Sequence, residues 1–477
     1  MSKIKRILIA NRGEIAIRIA KAANELGHVS VGFWTDNEPK AYHLEFCKEW
    51  VHLPGDNISE TFLNIERIAE LAKAYKIDAI HPGYGFLAEN SNFVRRVEKE
   101  GIIFIGPNAE AIDLMGDKAK SKKIARDAGV PTVPGSDDIV ENLKDAKELT
   151  MKMGYPVLLK AVAGGGGKGM RICLNDSDLE KNFDAVKREG ASSFGNPDLL
   201  IEKYILDPRH IEVQILADKN KIYHVYEREC SIQRRHQKVV EESPSPFIGD
   251  DQELREKICK TAIDLARAVN YDSAGTVEFI MDADRSFYFL EMNTRIQVEH
   301  PITEEVTGVD LLTNMIKSAF GESLDIKSQE EITQKGHAIE CRICAEDPIS
   351  MLPAPGIISG FSYQLNQGVR FDHCIYPGVE ITPDFDPMIG KLITFGLNRE
   401  VAIRKMEEAL KHLKLVGLKS NIELLKVIIN EKSFRAGQYS TKYIEMINPQ
   451  ESLKKRQLDD ESFLSVIMSE LISKVEQ

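Results

Sequence analysis

The chain has 477 residues, of which 43% are hydrophobic and 29% are charged, and its net charge is −12. These values are typical of a globular protein with two to four packed units, at about 100–200 residues per domain. The acidic balance argues against general nucleic-acid binding, and no apolar run approaches the roughly 18–20 residues that span a bilayer. Seven scattered cysteines indicate no disulfide framework. We therefore expect a cytoplasmic protein with reduced thiols, bound to neither membranes nor nucleic acids.

The N-terminal part alternates between short apolar runs and helical patterns, which predicts a parallel sheet of Rossmann type. The turn after the first strand, residues 11–14, has one glycine and so lacks the fingerprint of dinucleotide binding. A glycine-punctuated loop at residues 81–90 lies where such sheets place ligands, although a structural turn explains it equally well. Predicted strands cover residues 5–10, 29–34, 78–81 and 102–105, and predicted helices cover residues 14–26, 61–75 and 111–130.

A glycine-rich segment, Gly-Gly-Gly-Gly-Lys-Gly at residues 164–169, lies between two predicted strands. Its glycines match the dinucleotide spacing, but residues 170–174 predict a strand where that motif requires a helix. A Walker loop is excluded, because Lys168 is followed by glycine. The segment therefore indicates a hairpin that closes its backbone N–H groups over phosphates, with Lys160 and Lys168 beside it. A flexible linker is the alternative.

Charged side chains gather near the predicted strands that follow. Glu202 and Lys203 end a strand at residues 199–204, and His210 begins the next one. A basic cluster at residues 229–238 follows a strand predicted at residues 223–227. Two opposite charges ~4 Å apart are worth about 4 kcal/mol at an effective dielectric near 20, so such a cluster can bind a triphosphate despite the acidic total.

The stretch from Phe287 to His300 carries the strongest chemical signal. It begins with an apolar run typical of a buried strand, and polar residues then alternate with apolar ones. If the backbone stays extended, the polar side chains share one face. An ordinary amphipathic strand is the alternative, but polar groups at the end of a buried strand favour the floor of an active site. These polar residues are Glu291, Asn293, Arg295, Gln297 and Glu299.

The strand predicted just before this stretch carries one carboxylate, Glu278. A short connection predicts a β-hairpin that brings Glu278 close to Glu291. With Asn293 these carboxylates form an all-oxygen site of the type that binds magnesium with nucleotide phosphates. Two buried acids paired with arginines are the alternative. Further along, Arg342 lies inside a strand predicted at residues 337–345 and must be either paired or catalytic.

The motifs together resemble the biotin carboxylases of the ATP-grasp superfamily, over residues 4 to about 445. Lys168 stands where arginine is common in that family, and Cys344 where asparagine is frequent. The segments that carry the resemblance are Ile-Ala-Asn-Arg-Gly-Glu-Ile-Ala, His-Pro-Gly-Tyr-Gly-Phe-Leu-Ala-Glu-Asn, Leu-Met-Gly-Asp-Lys, Gly-Gly-Gly-Gly-Lys-Gly-Met, Gln-Arg-Arg-His-Gln-Lys and Glu-Met-Asn-Thr-Arg-Ile-Gln-Val-Glu-His-Pro-Ile-Thr-Glu.

The resemblance implies an α/β protein, α+β overall, in which a Rossmann-like sheet precedes an ATP-grasp fold and a mixed α/β subdomain. The implied parts are an N-terminal domain at residues 1–115, a helical linker at 116–131, a lid subdomain at 132–204, a catalytic core at 205–330, a C-terminal domain at 331–447 and a helical tail of unknown role at 448–477.

The resemblance also implies the ligands and the roles of residues. Magnesium or manganese would bind Glu278, Glu291 and Asn293. Glu299 would deprotonate bicarbonate for attack on ATP, and Arg342 would stabilise the enolate of biotin. Lys238, Arg295, Gln297, Val298 and Arg342 would surround bicarbonate and biotin, with Val298 acting through its backbone, so strict alternation would not persist to His300. ATP would contact Lys118, Lys160, Gly165, Gly166, Gly167, Lys168, Glu202, Lys203, His210, Gln233, His236, Glu278 and Glu291.

The implied reaction is ATP-dependent carboxylation of biotin on a separate carrier protein, since no biotin-acceptor domain is expected in this chain. A carboxyltransferase subunit and a homodimer are further expectations. Acetyl-CoA, propionyl-CoA, pyruvate and 2-oxoglutarate are equally compatible as final acceptors. Two rival hypotheses are another ATP-grasp ligase, similar to carbamoyl-phosphate synthetase, and a nucleotide-binding subunit without turnover.

Overall fold

The computed structural model describes residues 4–136, 139–161, 170–194, 196–235 and 237–455. The predictions on Gly165, Gly166, Gly167, Lys168 and His236, and on the tail beyond residue 455, lie outside these residues. The chain forms two compact units. Unit 1 comprises Met1–Ile124, Arg209–Glu278 and Glu291–Gln477, and unit 2 comprises Ala125–Pro208 and Phe279–Leu290.

Twenty strands and fourteen α-helices occur within the described ranges. The strands are β1 Arg6–Ile9, β2 Val29–Thr35, β3 Glu49–Leu53, β4 Ala79–His81, β5 Ile103–Phe104, β6 Val157–Ala161, β7 Met170–Cys173, β8 Leu199–Lys203, β9 Arg209–Ala217, β10 Ile222–Arg234, β11 Gln237–Ser243, β12 Ala274–Met281, β13 Phe287–Asn293, β14 His337–Cys344, β15 Gly356–Ile357, β16 Gly360–Ser362, β17 Val369–His373, β18 Glu380–Ile381, β19 Met388–Gly396 and β20 Lys414–Val416. The helices are α1 Gly13–Glu25, α2 Ile65–Ala74, α3 Ser91–Lys99, α4 Ala109–Gly116, α5 Lys118–Asp127, α6 Leu143–Met153, α7 Asp176–Phe194, α8 Gln252–Ala268, α9 His300–Thr307, α10 Leu311–Ala319, α11 Arg399–His412, α12 Ile422–Asn430, α13 Lys432–Arg435 and α14 Tyr443–Ile447.

The N-terminal sheet is parallel, in the order β3-β2-β1-β4-β5, which confirms the predicted Rossmann-like topology. Its central strand is buried because helices cover both faces, as the solid apolar run of β1 requires. Two helix predictions were wrong in detail. Helix α2 begins at Ile65 because the Asn64 side chain caps it by accepting from the backbone N–H of Arg67. The predicted basic helix is two helices, α4 and α5, separated by the extended backbone of Asp117.

The large sheet has eight strands in the order β13-β12-β9-β10-β11-β14-β19-β17. Strand β10 runs to Arg234, beyond the predicted end at residue 227, so the predicted basic cluster lies on the hairpin of β10 and β11. Part of that cluster is structural, because Arg234 donates to Glu346 at 2.7 Å. Every residue of β9 is buried, so its charged side chains also face the protein interior.

Unit 2 contains a three-stranded antiparallel sheet, β7-β6-β8, with α6 and α7 packed on its apolar side chains. The segment after the glycine-rich motif is strand β7, as predicted, which agrees with the exclusion of the dinucleotide motif. None of the described helices is both long and apolar enough to cross a membrane.

A buried carboxylate, Glu242, ties β11 to the C-terminal helices of unit 1. It accepts from His337 Nε2 at 2.8 Å, Arg399 Nε at 2.7 Å and the Tyr439 hydroxyl at 2.6 Å. Arg399 also donates to the backbone carbonyl of Phe434 at 2.7 Å. Burial alone would raise the pKa of Glu242, but Arg399 and His337 outweigh it and lower the pKa to about 2.

Replacing Glu242 with glutamine should lower the free energy of unfolding by about 3–5 kcal/mol at neutral pH, because Arg399 loses its buried partner. A depressed pKa stabilises the fold above the unfolded value, about 4.3, and this contribution is lost as the pH falls towards about 2. The difference between wild type and variant in urea unfolding should therefore shrink over that interval. Glu423→Gln, an exposed carboxylate on α12, is the control and should change stability by less than about 1 kcal/mol. An equal effect of both substitutions would contradict this assignment.

Candidate active site

Lys238 on β11 lies at the centre of a buried group of carboxylates in unit 1. Its Nζ donates to Glu278 Oε1 at 2.8 Å, to Glu299 Oε1 at 2.6 Å and to Glu212. Burial by itself would lower the pKa of Lys238, but the three carboxylates outweigh it and hold the pKa well above its usual range. Lys238 is therefore a permanent cation, suited to binding an anion that competes for it.

Glu212 is held in place by Arg228, and neither residue was expected at the site from the sequence. Arg228 is fully buried and donates to Glu212 Oε1 at 2.5 Å, to Gln214 at 2.7 Å and to Thr303 at 3.0 Å. A glutamate inside the apolar strand β9 was the available signal, since a buried charge requires a partner.

Glu278 on β12 accepts three hydrogen bonds from predicted site residues and lies close to a fourth predicted residue. Its Oε1 accepts from Asn293 Nδ2 and from Gln297 Nε2, each at 2.9 Å, and from Lys238. Its Oε2 lies 3.0 Å from His210 Nε2. The structure thus brings these residues together around one carboxylate, as the sequence predicted for Glu278 and Asn293.

The oxygen donors of this group suit a hard divalent cation. The pKa of Glu291 is raised by burial and by the neighbouring Glu278, so the two carboxylates repel each other without a cation between them. Glu278, Glu291 and Asn293 provide carboxylate and amide oxygens, which magnesium prefers. Ligand atoms of His210, Glu212 and Glu278 also lie within 4.8 Å of one another, but an imidazole donor favours softer metals. We therefore find that the residues fit a magnesium ion.

The backbone leaves the strand conformation at Asn293, so the five polar residues do not share one strand face. Arg295 lies in the turn that follows, donating to Glu89 Oε2, Gln297 Oε1 and Asn293 Oδ1 at 2.8–2.9 Å. The guanidinium of Arg295 therefore lies beside the cluster of carboxylates around Lys238. Part of its surface is exposed, as a contact with a small anion requires.

The peptide carbonyl of Val298 accepts from Lys391 Nζ at 2.9 Å. Lys391 is fully buried on β19 and pairs with Glu14 Oε1 at 3.1 Å. This pair, which the sequence analysis missed, fixes the orientation of the Val298 peptide. The contact of the Val298 backbone with bicarbonate stays a prediction.

Glu299 is fully buried immediately before α9, held between two cations. Its Oε1 accepts from Lys238, and its Oε2 accepts from Arg342 Nη2 at 2.9 Å. Burial would raise the pKa of Glu299, but Lys238, Arg342 and Arg228 hold it well below its usual range. The carboxylate is therefore ionised, and while both cations are bound to it, it is a weak base.

Arg342 is paired with a second carboxylate, Glu241, through its Nε at 2.6 Å. Burial opposes its charge, but Glu241 and Glu299 hold its pKa well above the usual range. The sequence predicted that Arg342 is either paired or catalytic. It is paired in the structure, and one of its two partners is the predicted base, Glu299.

The remaining predicted nucleotide residues are distributed over both units. In unit 2, Lys160 lies on β6 and Glu202 on β8, and Lys203 Nζ donates to the carbonyls of Gly154 and Tyr155. In unit 1, Gln233 Nε2 donates to the Cys230 carbonyl at 2.8 Å. Lys118, the first residue of α5, is close enough to Glu291 to offset part of the rise in the pKa of Glu291.

Three family models match consecutive parts of the chain. They are biotin carboxylase, N-terminal domain, at residues 3–112; carbamoyl-phosphate synthase L chain, ATP binding domain, at residues 117–327; and biotin carboxylase C-terminal domain, at residues 340–446. The central model alone would fit either a biotin carboxylase or a ligase similar to carbamoyl-phosphate synthetase. The two flanking models fit only a biotin carboxylase. The chain belongs to the biotin carboxylase family. It is an ATP-dependent ligase with an ATP-grasp fold.

Individual members of the family match almost the whole chain. The 2-oxoglutarate carboxylase small subunit of Hydrogenobacter thermophilus is 48% identical over 443 residues, covering 92% of this chain and 93% of its own. Biotin carboxylase 2 of Bacillus subtilis is 46% identical over 440 residues, covering 92% and 98%. A solved biotin carboxylase domain dimer of the H. thermophilus enzyme, in complex with MgADP, ADP and bicarbonate, is 47% identical with a TM-score of 0.83, covering 94% of this chain and 99% of its own.

Proposed function

We propose that this biotin carboxylase carboxylates biotin on a separate carrier protein, using ATP and bicarbonate, as the first half-reaction of a multisubunit carboxylase. The observation that carries this proposal is the buried Glu299 carboxylate, placed between Lys238 and Arg342 and next to the Glu278 group. A base, two cations and an oxygen-rich metal site within one cluster are what activation of bicarbonate requires.

In the first step, Glu299 accepts the hydroxyl proton of bicarbonate. The freed oxygen attacks the γ-phosphorus of ATP, the bond to the β–γ bridging oxygen breaks, and ADP leaves with that electron pair. The product is carboxyphosphate. Lys238 and Arg295 hold the anion in position, and Glu299 becomes a stronger base as Lys238 turns from it to the substrate. A magnesium ion held by Glu278, Glu291 and Asn293 would neutralise the phosphoryl charge.

In the second step, the carboxyl group passes to the ureido nitrogen of biotin and phosphate is released. The bond between the carboxyl carbon and the phosphate oxygen breaks, phosphate leaves with that electron pair, and the phosphate accepts the proton of the ureido nitrogen. Negative charge develops on the ureido oxygen as this proton leaves, and Arg342 is the cation that we assign to this oxygen. Arg342 is hydrogen-bonded to Glu299 in this structure, and protonation of Glu299 in the first step would weaken this pair and allow Arg342 to move to biotin.

Magnesium should bind less tightly as the pH falls, because the pKa of Glu291 is raised and a ligand carboxylate must be ionised. Titrations of ADP formation with magnesium, at mildly acidic and mildly alkaline pH, should show a higher magnesium requirement on the acidic side. Glu291→Gln should need more magnesium at both pH values and lose most of this difference. A wild-type requirement that is independent of pH would contradict the assignment of Glu291 as a ligand, and chelation with EDTA should abolish activity.

The proposed function is tested by ADP formation with free biotin as the acceptor. We expect turnover that needs bicarbonate and rises with biotin. Stimulation by ammonia or an amine without biotin would instead favour a ligase similar to carbamoyl-phosphate synthetase. ATP binding without turnover under all of these conditions would favour the second rival, a nucleotide-binding subunit without turnover.

A carrier protein, a carboxyltransferase subunit and a second copy of this chain are the partners that we propose. The H. thermophilus relative is named a small subunit, and its solved biotin carboxylase domain is described as a dimer. Propionyl-CoA carboxylase alpha chains, by contrast, are longer, and this chain spans 61–62% of their length. All seven cysteines are free thiols, which supports a cytoplasmic location.

A further inference from the structure

Two fully buried glutamates face each other beneath Arg342. Glu241 on β11 and Glu340 on β14 are directly opposed in the antiparallel register, so their side chains share one face of the sheet with Cβ atoms about 4.5–5.5 Å apart. Glu241 Oε1 accepts from Arg342, but its Oε2 has no hydrogen-bond partner. Neither oxygen of Glu340 has one.

The two cations that face Glu340 are both bound to other groups. The cations that face it are Arg342 on its own strand and Lys391 on the neighbouring β19. Lys391 is engaged with Glu14 and with the Val298 carbonyl, and Arg342 is engaged with Glu241 and Glu299. Tyr84, which also faces this region, already donates its hydroxyl hydrogen to Glu14.

A buried carboxylate with no partner takes up a proton instead of remaining charged. Burial, together with the neighbouring Glu241, raises the pKa of Glu340 well above its usual range, and Lys391 only partly offsets this. Glu340 is therefore a neutral carboxylic acid, with an O–H group that can donate.

We propose that Glu340 is a positioning residue: its neutral carboxyl group donates a hydrogen bond to Glu241 when Arg342 leaves Glu241 for biotin. This inference rests on the proposed function, in which Arg342 moves to the ureido oxygen. Burial raises the pKa of Glu241 to about 7 even with Arg342 beside it. Without Glu340, the departure of Arg342 would leave the Glu241 carboxylate with no donor, and it would have to take up a proton to stay buried. No covalent bond changes, because the proton stays on Glu340 and only the hydrogen bond is new.

Two substitutions at position 340 show whether the site needs a hydrogen-bond donor or a carboxylate charge. Glu340→Gln keeps a donor without ionising, and Glu340→Leu has a similar size without a donor. With ATP and bicarbonate saturating and free biotin varied, kcat/KM for biotin should stay close to wild type in Glu340→Gln. It should fall by about tenfold in Glu340→Leu, the size of a lost hydrogen bond. The KM for ATP should stay the same in both. Glu242→Gln, at the next position of β11, controls for lost stability and should leave biotin kinetics unchanged.

Equal losses in Glu340→Gln and Glu340→Leu, or no loss in Glu340→Leu, would overturn the inference. Because Glu340→Leu could fail to fold, the protonation state is also measured directly. The infrared difference spectrum of wild type minus Glu340→Gln at neutral pH should contain a carboxylic acid carbonyl band, and a carboxylate band there would overturn the inference. If wild type shows no biotin-stimulated turnover, the proposed function fails, and the infrared result still decides the state of Glu340.

Discussion

Glu299→Gln is expected to lower kcat for biotin-dependent ADP formation by about 10²–10⁴-fold, the usual contribution of a general base. Glutamine fills the same volume and can still accept a hydrogen bond, but it cannot take the proton of bicarbonate. ATP binding should persist, because the nucleotide contacts assigned to Lys118, Lys160 and Glu202 do not involve Glu299. Steady-state kinetics with an independent ATP-binding titration would measure both effects.

The matched control is Glu305→Gln. Glu305 is a partly exposed glutamate on α9 that contacts Arg370 and not Lys238. It should keep wild-type turnover. A Glu299→Gln enzyme with wild-type kcat would refute the role of Glu299 as the base. Loss of ATP binding in the same variant would show that the carboxylate is structural instead.

Lys238→Met should have two large effects, because one cation serves three buried carboxylates. We expect the free energy of unfolding at neutral pH to fall by about 3–5 kcal/mol, since Glu212, Glu278 and Glu299 lose a shared partner. We also expect kcat to fall by about 10²–10³-fold, the cost of removing one preorganised cationic donor. Urea unfolding and ADP formation are the measurements.

A double-variant cycle shows whether the lysine and the base act together. Combining Lys238→Met with Glu299→Gln removes one of the carboxylates that the lysine balances, so part of the lost stability should return. The coupling free energy should be about 0.5–3 kcal/mol, as for other residues in direct contact. Strictly additive effects would mean that the close contact between Lys238 and Glu299 carries no net energy.

The fold could be predicted from sequence wherever a pattern has a clear period or punctuation. The parallel N-terminal sheet and the strand after the glycine-rich segment both follow from such patterns. Other boundaries depend on local capping or on distant pairing. A side-chain cap moves the start of α2 to Ile65, and pairing with β9 and β11 extends β10 to Arg234, which no periodicity within that segment indicates.

The site was predicted mainly from its motifs and from their resemblance to biotin carboxylases. The residues missed are those that support other residues, namely Glu212, Arg228, Glu241, Glu340 and Lys391. They lie on strands buried on both faces, where a charged residue shows no alternation, and their partners are 14 to more than 100 residues away in the chain. The register of β9 and β10 places Glu212 opposite Arg228, and the register of β11, β14 and β19 brings the other three together.

The most direct test of the central claim uses bicarbonate labelled with oxygen-18. If Glu299 promotes attack of a bicarbonate oxygen on the γ-phosphorus, that oxygen stays on phosphorus when carboxyphosphate breaks down. Mass spectrometry should then find one labelled oxygen in the inorganic phosphate that forms with each ADP in the presence of biotin. Unlabelled phosphate from a biotin-dependent turnover would contradict the account, because it would mean that water and not bicarbonate attacks ATP.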